Sequence, residues 1–227
     1  MKAVSLQNTA SLADSDGPLF IGFSRKKLGL YKGSEVAGLI RQGRAEVDCQ
    51  ILSNEGYMVY SVARAQSTMD GAMAEVGTLQ GASAKLICEA KGNAEFHVFD
   101  TFCGLVDASD NDPLFRQSDY SSSENSVRQY LSKYPNVHIH KGFFPGATGD
   151  VIRDKKFSFV NLDVDTDAST RDSLEFFYPR LLPGGNLTSH DYAQAEGVRK
   201  AFEEFLVSKP ESIIELPESQ CMFIKQG

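Results

Sequence analysis

Acidic residues crowd two short stretches of this chain. Leu162-Asp163-Val164-Asp165-Thr166-Asp167 spaces three carboxylates two residues apart, and His190-Asp191-Tyr192 sets an imidazole beside a fourth. Carboxylates this close can share a hard divalent cation, which takes oxygen ligands. They can also crowd one another until one keeps its proton, which suits a general base. A calcium loop does not fit: counted from Asp163, the sixth position is Ala168 where glycine is needed, and the twelfth is Leu174 where glutamate is needed. The D-x-D of metal-dependent glycosyltransferases is another reading. Helix capping is the plain one, preferred for Asp167 and Asp172. His190, with an unperturbed pKa near ~6.5, is a second candidate proton acceptor.

A different chemistry belongs to Met-Ala-Glu-Val-Gly-Thr-Leu-Gln-Gly-Ala-Ser over residues 73–83. It reads as the end of a strand, a tight turn and the start of a helix, with Gly77 and Gly81 letting the backbone bend and come close to a ligand. Phe-His-Val-Phe-Asp over residues 96–100 reads as the next strand. Asp100 at its tip follows Gly77 by about the ~20 residues expected between a glycine turn and a ribose-binding carboxylate. The turn holds G-x-x-x-G and not G-x-G-x-x-G, which disfavours a nicotinamide-dependent oxidoreductase.

Strand tips must position all of these groups. Further strands are expected at residues 137–140, 157–163, 186–189, 213–216 and 221–224. The last two are joined too tightly for a parallel crossover and so should pair antiparallel. The order β-α-β-α-β-α-β-α-β-α-β-β predicts an α/β fold with a doubly wound, mainly parallel seven-stranded sheet. Glu75 with Gly77, Asp100, Gly142, Asp163 with Asp165, and His190 with Asp191 then converge at the carboxyl edge, where such sheets bind ligands. Among the helices, one starts at Ser34 as its cap, and one spans residues 57–69 with Tyr57, Tyr60, Val62, Ala65 and Met69 as its apolar stripe. Another covers residues 124–134, and Ser169 or Thr170 caps one that runs to about Pro179. Residues 106–123 read as a mobile loop. Residues 1–70 form an N-terminal arm and helical lid, and residues 71–227 the cofactor-binding core.

Composition narrows the class. Net charge is −7 over 227 residues, with 41% hydrophobic residues, so a full core is expected and a nucleic-acid partner is not. Cys49, Cys88, Cys103 and Cys221 form no metal knuckle or redox pair, which fits a reduced, cytoplasmic setting. No apolar run approaches bilayer length and no signal pattern opens the chain, so no membrane partner is expected. A homo-oligomer is compatible with the sequence.

The motifs together resemble the macrocin O-methyltransferase family of class I S-adenosylmethionine-dependent methyltransferases, which methylate sugar hydroxyls in antibiotic pathways. The pieces are E-V-G-T-L-Q-G at 75–81, F-D-T-F-C-G-L at 99–105, K-G-F-F-P-G-A-T at 141–148, L-D-V-D-T-D-A-S-T at 162–170, L-E-F-F-Y-P-R-L-L-P-G-G at 174–185 and H-D-Y at 190–192. The resemblance implies a Rossmann-like fold, S-adenosyl-L-methionine as cofactor and a small-molecule hydroxyl acceptor. Cofactor contacts would come from Glu75, Gly77, Thr78, Gly81, Ser83, Asp100, Thr101, Phe102, Gly142, Phe143 and Asp163. Asp163, His190 and Asp191 would hold Mg2+ or another divalent cation, with Asp165 or His190 as catalytic base. His190 stands where the family commonly has aspartate, which weakens the case for Mg2+ or selects a metal that accepts nitrogen. A catalytically silent cofactor-binding relative is the alternative outside enzymes.

Overall fold

The computed structural model describes residues 28–29 and 31–227. The arm expected over residues 1–18 lies outside the described residues. Seven strands form one sheet: β1 (Ala72–Val76), β2 (Phe96–Asp100), β3 (Val137–Lys141), β4 (Phe157–Leu162), β5 (Leu181–Ser189), β6 (Ile214–Glu215) and β7 (Cys221–Ile224). Their order is β3-β2-β1-β4-β5-β7-β6. The first five are parallel, whereas β7 pairs antiparallel with both β5 and β6. The chain leaves β1 toward β2 and β3, then returns to lay β4 on the other side of β1. That reversal opens a crevice above β1 and β4.

Strand periodicity builds a core on each face. On β1, Met73 packs with Val98 and Phe159 against one helix layer, while Ala72, Ala74 and Val76 pack with Val160, Leu162 and Leu187 against the other. The first layer consists of α2 (Ser53–Gln66), α3 (Ala82–Ala90) and α4 (Glu124–Leu131), which bury Val59, Ala63, Ile87, Val127 and Leu131. The second consists of α5 (Asp167–Phe177) and α6 (Glu196–Leu206), with Leu174, Phe177, Val198 and Phe202 facing in. In that core Phe99 packs tilted on Phe144 at a centroid spacing of 4.6 Å, and Phe144 stacks on Phe177 at 5.0 Å. Burying such a ring contributes roughly 2–3 kcal/mol. A preceding helix, α1 (Ser34–Glu46), sits beside α2 and α3 with Ile40 against Leu86.

Several local expectations change. Gly33, not Ser34, holds the N-cap position of α1, and no side chain caps it. α2 begins at Ser53 because the Glu55 carboxylate accepts the Leu52 backbone N–H at 2.7 Å. Its buried side is Gly56, Val59 and Ala63, a stripe rotated away from the tyrosines. Thr166 caps α5, its Oγ1 accepting from the Ser169 N–H, so Ser169 and Thr170 fall inside the helix. The crossover from β3 to β4 holds a single 3-10 turn, Gly149–Ile152, where the alternation had implied a full helix. Residues 106–123 are stitched down: buried Asp112 accepts from Ser109 and from the Asp167 N–H, and Asp107 accepts from Thr166 and Ser169. Among the described residues no helix is long and apolar enough to cross a membrane.

Candidate active site

The tips of the parallel strands open on one cleft of about 880 Å3. Backbone strain gathers there. Leu79, Phe102, Asp165 and Asp191 take φ of 50, 57, 63 and 60°, in the left-handed region, just beyond β1, β2, β4 and β5. Such conformations cost free energy and persist where the surrounding structure imposes them, often at functional sites.

One end of the cleft is the glycine turn. Gly77 has φ 80°, and a Cβ there would run into the carbonyl oxygen of Asp163, so β1 and β4 can approach only with glycine at this position. Asp100 ties the turn together. Its Oδ2 accepts the N–H groups of Thr78 at 2.8 Å and Leu79 at 3.1 Å, and its Oδ1 accepts that of Phe102 at 2.7 Å. Burial pushes its carboxyl up, opposed by those three donors. Glu75 lies beneath, fully buried, accepting from Thr78 Oγ1 at 2.7 Å and Asn161 Nδ2 at 3.0 Å. Burial pushes its carboxyl up to about 7 despite the donors.

At the other end, His190 is ringed by acids. Its Nδ1 stands 2.9 Å from Asp191 Oδ2 and 3.3 Å from Asp163 Oδ1. Its Nε2 stands 3.1 Å from Glu55 Oε2, near but off the line of a well-aligned hydrogen bond. Burial alone would push the imidazole down, but Asp163 and Asp191 hold it well above its usual range. Asp191 is held below the usual carboxylate range: burial opposes ionisation, and His190 and a hydrogen bond from Asp165 outweigh it. Asp165 goes the other way, raised well above that range by burial and by the charges of Asp191 and Asp163. Burial likewise raises Asp163, against the pull of His190.

Of the residues expected to form the site, Gly77, Thr78, Asp100, Thr101, Gly142, Phe143, Asp163, Asp165, His190 and Asp191 line the cleft. Glu75, Gly81, Ser83 and Phe102 do not; Glu75 braces the turn through Thr78, and Phe102 packs in the core beyond β2. Asp167 points away, paired with Arg171 on α5. Sequence reasoning passed over Glu55. Its signal was a glutamate three residues after Leu52 at a helix start, hidden by beginning that helix at Tyr57. Asn161, the partner of Glu75, was hidden inside an apolar strand.

The model of the macrocin O-methyltransferase family (TylF) matches residues 56–217, most of the chain and all of the strand-tip groups. The chain belongs to the macrocin O-methyltransferase family. It is an S-adenosylmethionine-dependent O-methyltransferase, and the glycosyltransferase, oxidoreductase and silent-relative readings of its acids give way. Solved structures agree on the fold. The O-methyltransferase NovP superposes with TM-score 0.69 at 20% identity, over 82% of this chain and 86% of that one. CalS11, a calicheamicin methyltransferase, gives 0.67 at 13% identity over 86% and 93%. An O-methyltransferase from Bacillus cereus, solved with S-adenosylhomocysteine, gives 0.61 at 13% over 89% and 97%. No curated protein matches the sequence significantly.

Proposed function

We propose that this family member transfers a methyl group to a sugar or related natural-product hydroxyl, with Asp165 receiving the hydroxyl proton. The observation that carries the reading is the convergence of Asp163, Asp165, His190 and Asp191 opposite a glycine turn in one cleft. NovP and CalS11 are methyltransferases of similar fold, and a further CalS11 structure is described as a TDP-rhamnose 3'-O-methyltransferase.

The two ends divide the work. Gly77 and Thr78 give close backbone approach to the methionine part of the cofactor. Asp100 uses three acceptor sites on the turn, which leaves one of about four for a ribose hydroxyl. Gly142 and Phe143, which line the same cleft, would border the adenine. The acceptor would enter between Leu52, just before α2, and the stitched loop, past Leu105, Phe115 and Tyr120. S-adenosyl-L-methionine would supply the activated methyl group, and the proton that the acceptor hydroxyl gives up would pass to Asp165. Asp165 can accept it only in its ionised form; a raised pKa makes that form the stronger base, and positive charge beside Asp163 and Asp191 would favour it. His190 is a poor rival, because a ring protonated among carboxylates has no lone pair with which to accept a proton.

Asp163, His190 and Asp191 each bring one ligand atom within 4.8 Å of the others, and His190 is the only ion-pair partner of the two acids among the described residues. The donor set fits a divalent cation, Mg2+ or another, which would supply charge that lowers the pKa of the acceptor hydroxyl. The four cysteines are free thiols, in keeping with the cytoplasmic setting we assign. The test is Asp165→Asn, assayed with a panel of sugar and phenol acceptors. Turnover should fall about 10²–10⁴-fold while calorimetric affinity for S-adenosylhomocysteine holds. Wild-type turnover in this variant would overturn the assignment.

A further inference from the structure

We infer that Glu55 is a positioning residue that presents His190 as a nitrogen ligand, so that the Asp163–His190–Asp191 site prefers a divalent transition metal such as Co2+, Ni2+ or Zn2+ to Mg2+. The inference deepens the methyltransferase reading of the same cleft and rests on it. Glu55 comes from the first turn of α2 and is 1% exposed. Three donors fix its carboxylate: the Leu52 N–H at 2.7 Å, the Ser219 N–H at 3.1 Å and the Ser219 hydroxyl at 2.6 Å. A carboxylate so held cannot swing away. It stays with Oε2 at 3.1 Å from His190 Nε2.

Behind a metal-bound imidazole, such a carboxylate fixes the tautomer, orients the ring and raises its basicity. Glu55 Oε2 faces Nε2 at 3.1 Å, off the line of a well-aligned hydrogen bond, so a small turn of the ring would direct Nε2–H to it and leave Nδ1 for a cation. Nδ1 is also the atom that faces Asp163 at 3.3 Å and Asp191 at 2.9 Å. A cation bound there replaces the proton that Nδ1 shares with Asp191. The resulting donor set is two carboxylate oxygens and one imidazole nitrogen. Mg2+ favours an all-oxygen, near-octahedral shell and gives up its waters reluctantly. Imidazole suits the later first-row metals, and affinity for such mixed sites rises from Mn2+ toward Ni2+ and Zn2+. Glu55 sits 108 positions before Asp163 in the chain, so it can serve the site only because α2 packs its first turn beside the tips of β4 and β5.

Co2+ and Mg2+ are the probes. Each is titrated calorimetrically into the full chain freed of metal by chelator and dialysis, and the Co2+ form is examined by proton NMR. Wild type should bind Co2+ more tightly than Mg2+ and show one strongly shifted, exchangeable imidazole N–H proton, the Nε2–H of His190. Glu55→Gln should lose about 10–100-fold in Co2+ affinity with Mg2+ affinity unchanged, a change of selectivity that a purely structural role would not produce. His190→Asp should lose the shifted proton and turn the preference toward Mg2+. Equal wild-type affinity for the two ions overturns the inference, as does Co2+ bound without a shifted N–H. Equal weakening of both ions by Glu55→Gln removes the positioning role. Should Glu55→Gln fold poorly, the wild-type measurements still decide the metal preference. S-adenosylhomocysteine binding, measured separately, keeps the failures distinct: its loss would sink the methyltransferase reading, whereas its retention beside a failed Co2+ result sinks only this inference.

Discussion

Two sets of buried or half-buried acids gather at one cleft, and they are served in opposite ways. Glu75 and Asp100, on the β1–β2 side, are surrounded by donors: a threonine hydroxyl and an asparagine amide for one, three backbone N–H groups for the other. Asp163, Asp165 and Asp191, on the β4–β5 side, are surrounded by one another, with a single imidazole between them. A carboxylate whose lone pairs are filled by the protein is part of the scaffold. A carboxylate whose neighbours are other carboxylates holds unspent capacity for a proton or a cation, and a stable fold keeps such a cluster only at some cost. Burial by itself does not separate the two; the identity of the partners does.

The two sides meet where Gly77 touches the Asp163 carbonyl, and the largest expected effect lies there. Gly77→Ala combines overpacking, about 1–3 kcal/mol, with a left-handed φ that costs about 1–2 kcal/mol more outside glycine. Urea unfolding should show a loss of about 2–5 kcal/mol, and cofactor binding should fail. A variant within 1 kcal/mol of wild type would mean that the turn can move off β4, leaving the two sides independent.

The donor-rich side makes a pH prediction of its own. Burial raises Glu75 to about 7, against an unfolded value near ~4.3. Between those values the folded protein keeps a proton that the unfolded chain has released. Stability from this group is therefore greatest below the unfolded value, declines as pH rises through the window, and levels off above about 7. The full decline is roughly 4 kcal/mol. Glu75→Gln mimics the protonated acid and should lack it. Unfolding curves for both proteins from pH 4.5 to 7.5 should therefore diverge with rising pH, the variant gaining on wild type. Parallel curves would mean that Thr78 and Asn161 keep Glu75 ionised in the folded protein and that burial does not hold its proton.

The sequence carried the sheet and its alternation, because β1 and β4 are apolar runs bounded by turn residues and their polar tips share one edge. It also brought together the residues of the acid cluster. What it could not carry is partner identity. Asp100 looks the same in the sequence whether it faces a ribose or three N–H groups. Thr166, Ser169 and Thr170 are equivalent capping candidates until the chain direction after β4 is known. The polar composition of residues 106–123 reads as mobility, since nothing local reveals that Asp107 and Asp112 reach the start of α5, tens of positions downstream. Glu55 is the clearest case: its role depends on α2 lying beside β5, and no local pattern encodes that contact.

The smallest effect is also the most discriminating, because it asks for opposite signs from one chemical change. Asp100→Asn swaps a carboxylate oxygen for an amide that cannot accept, so at least one of its three N–H donors is left unpaired. A buried donor without a partner costs about 1–3 kcal/mol, and this variant should be less stable by about 2 kcal/mol. Asp165→Asn should instead be more stable than wild type at pH 7. Its amide donates to Asp191 as the protonated carboxyl does, and it has no proton to lose. In wild type, a carboxyl raised above its unfolded value becomes a growing liability as pH climbs from the ordinary carboxylate range. Relief of crowded charge of this kind is worth about 1 kcal/mol. Thermal unfolding of the two variants side by side, without cofactor or metal, reads the signs directly. If both lose stability, the β4–β5 acids are as well served as those of β1–β2, and the cluster has no spare capacity for a proton or an ion. If Asp165→Asn gains stability while losing turnover, the same side chain is shown to cost the fold what it contributes to the reaction.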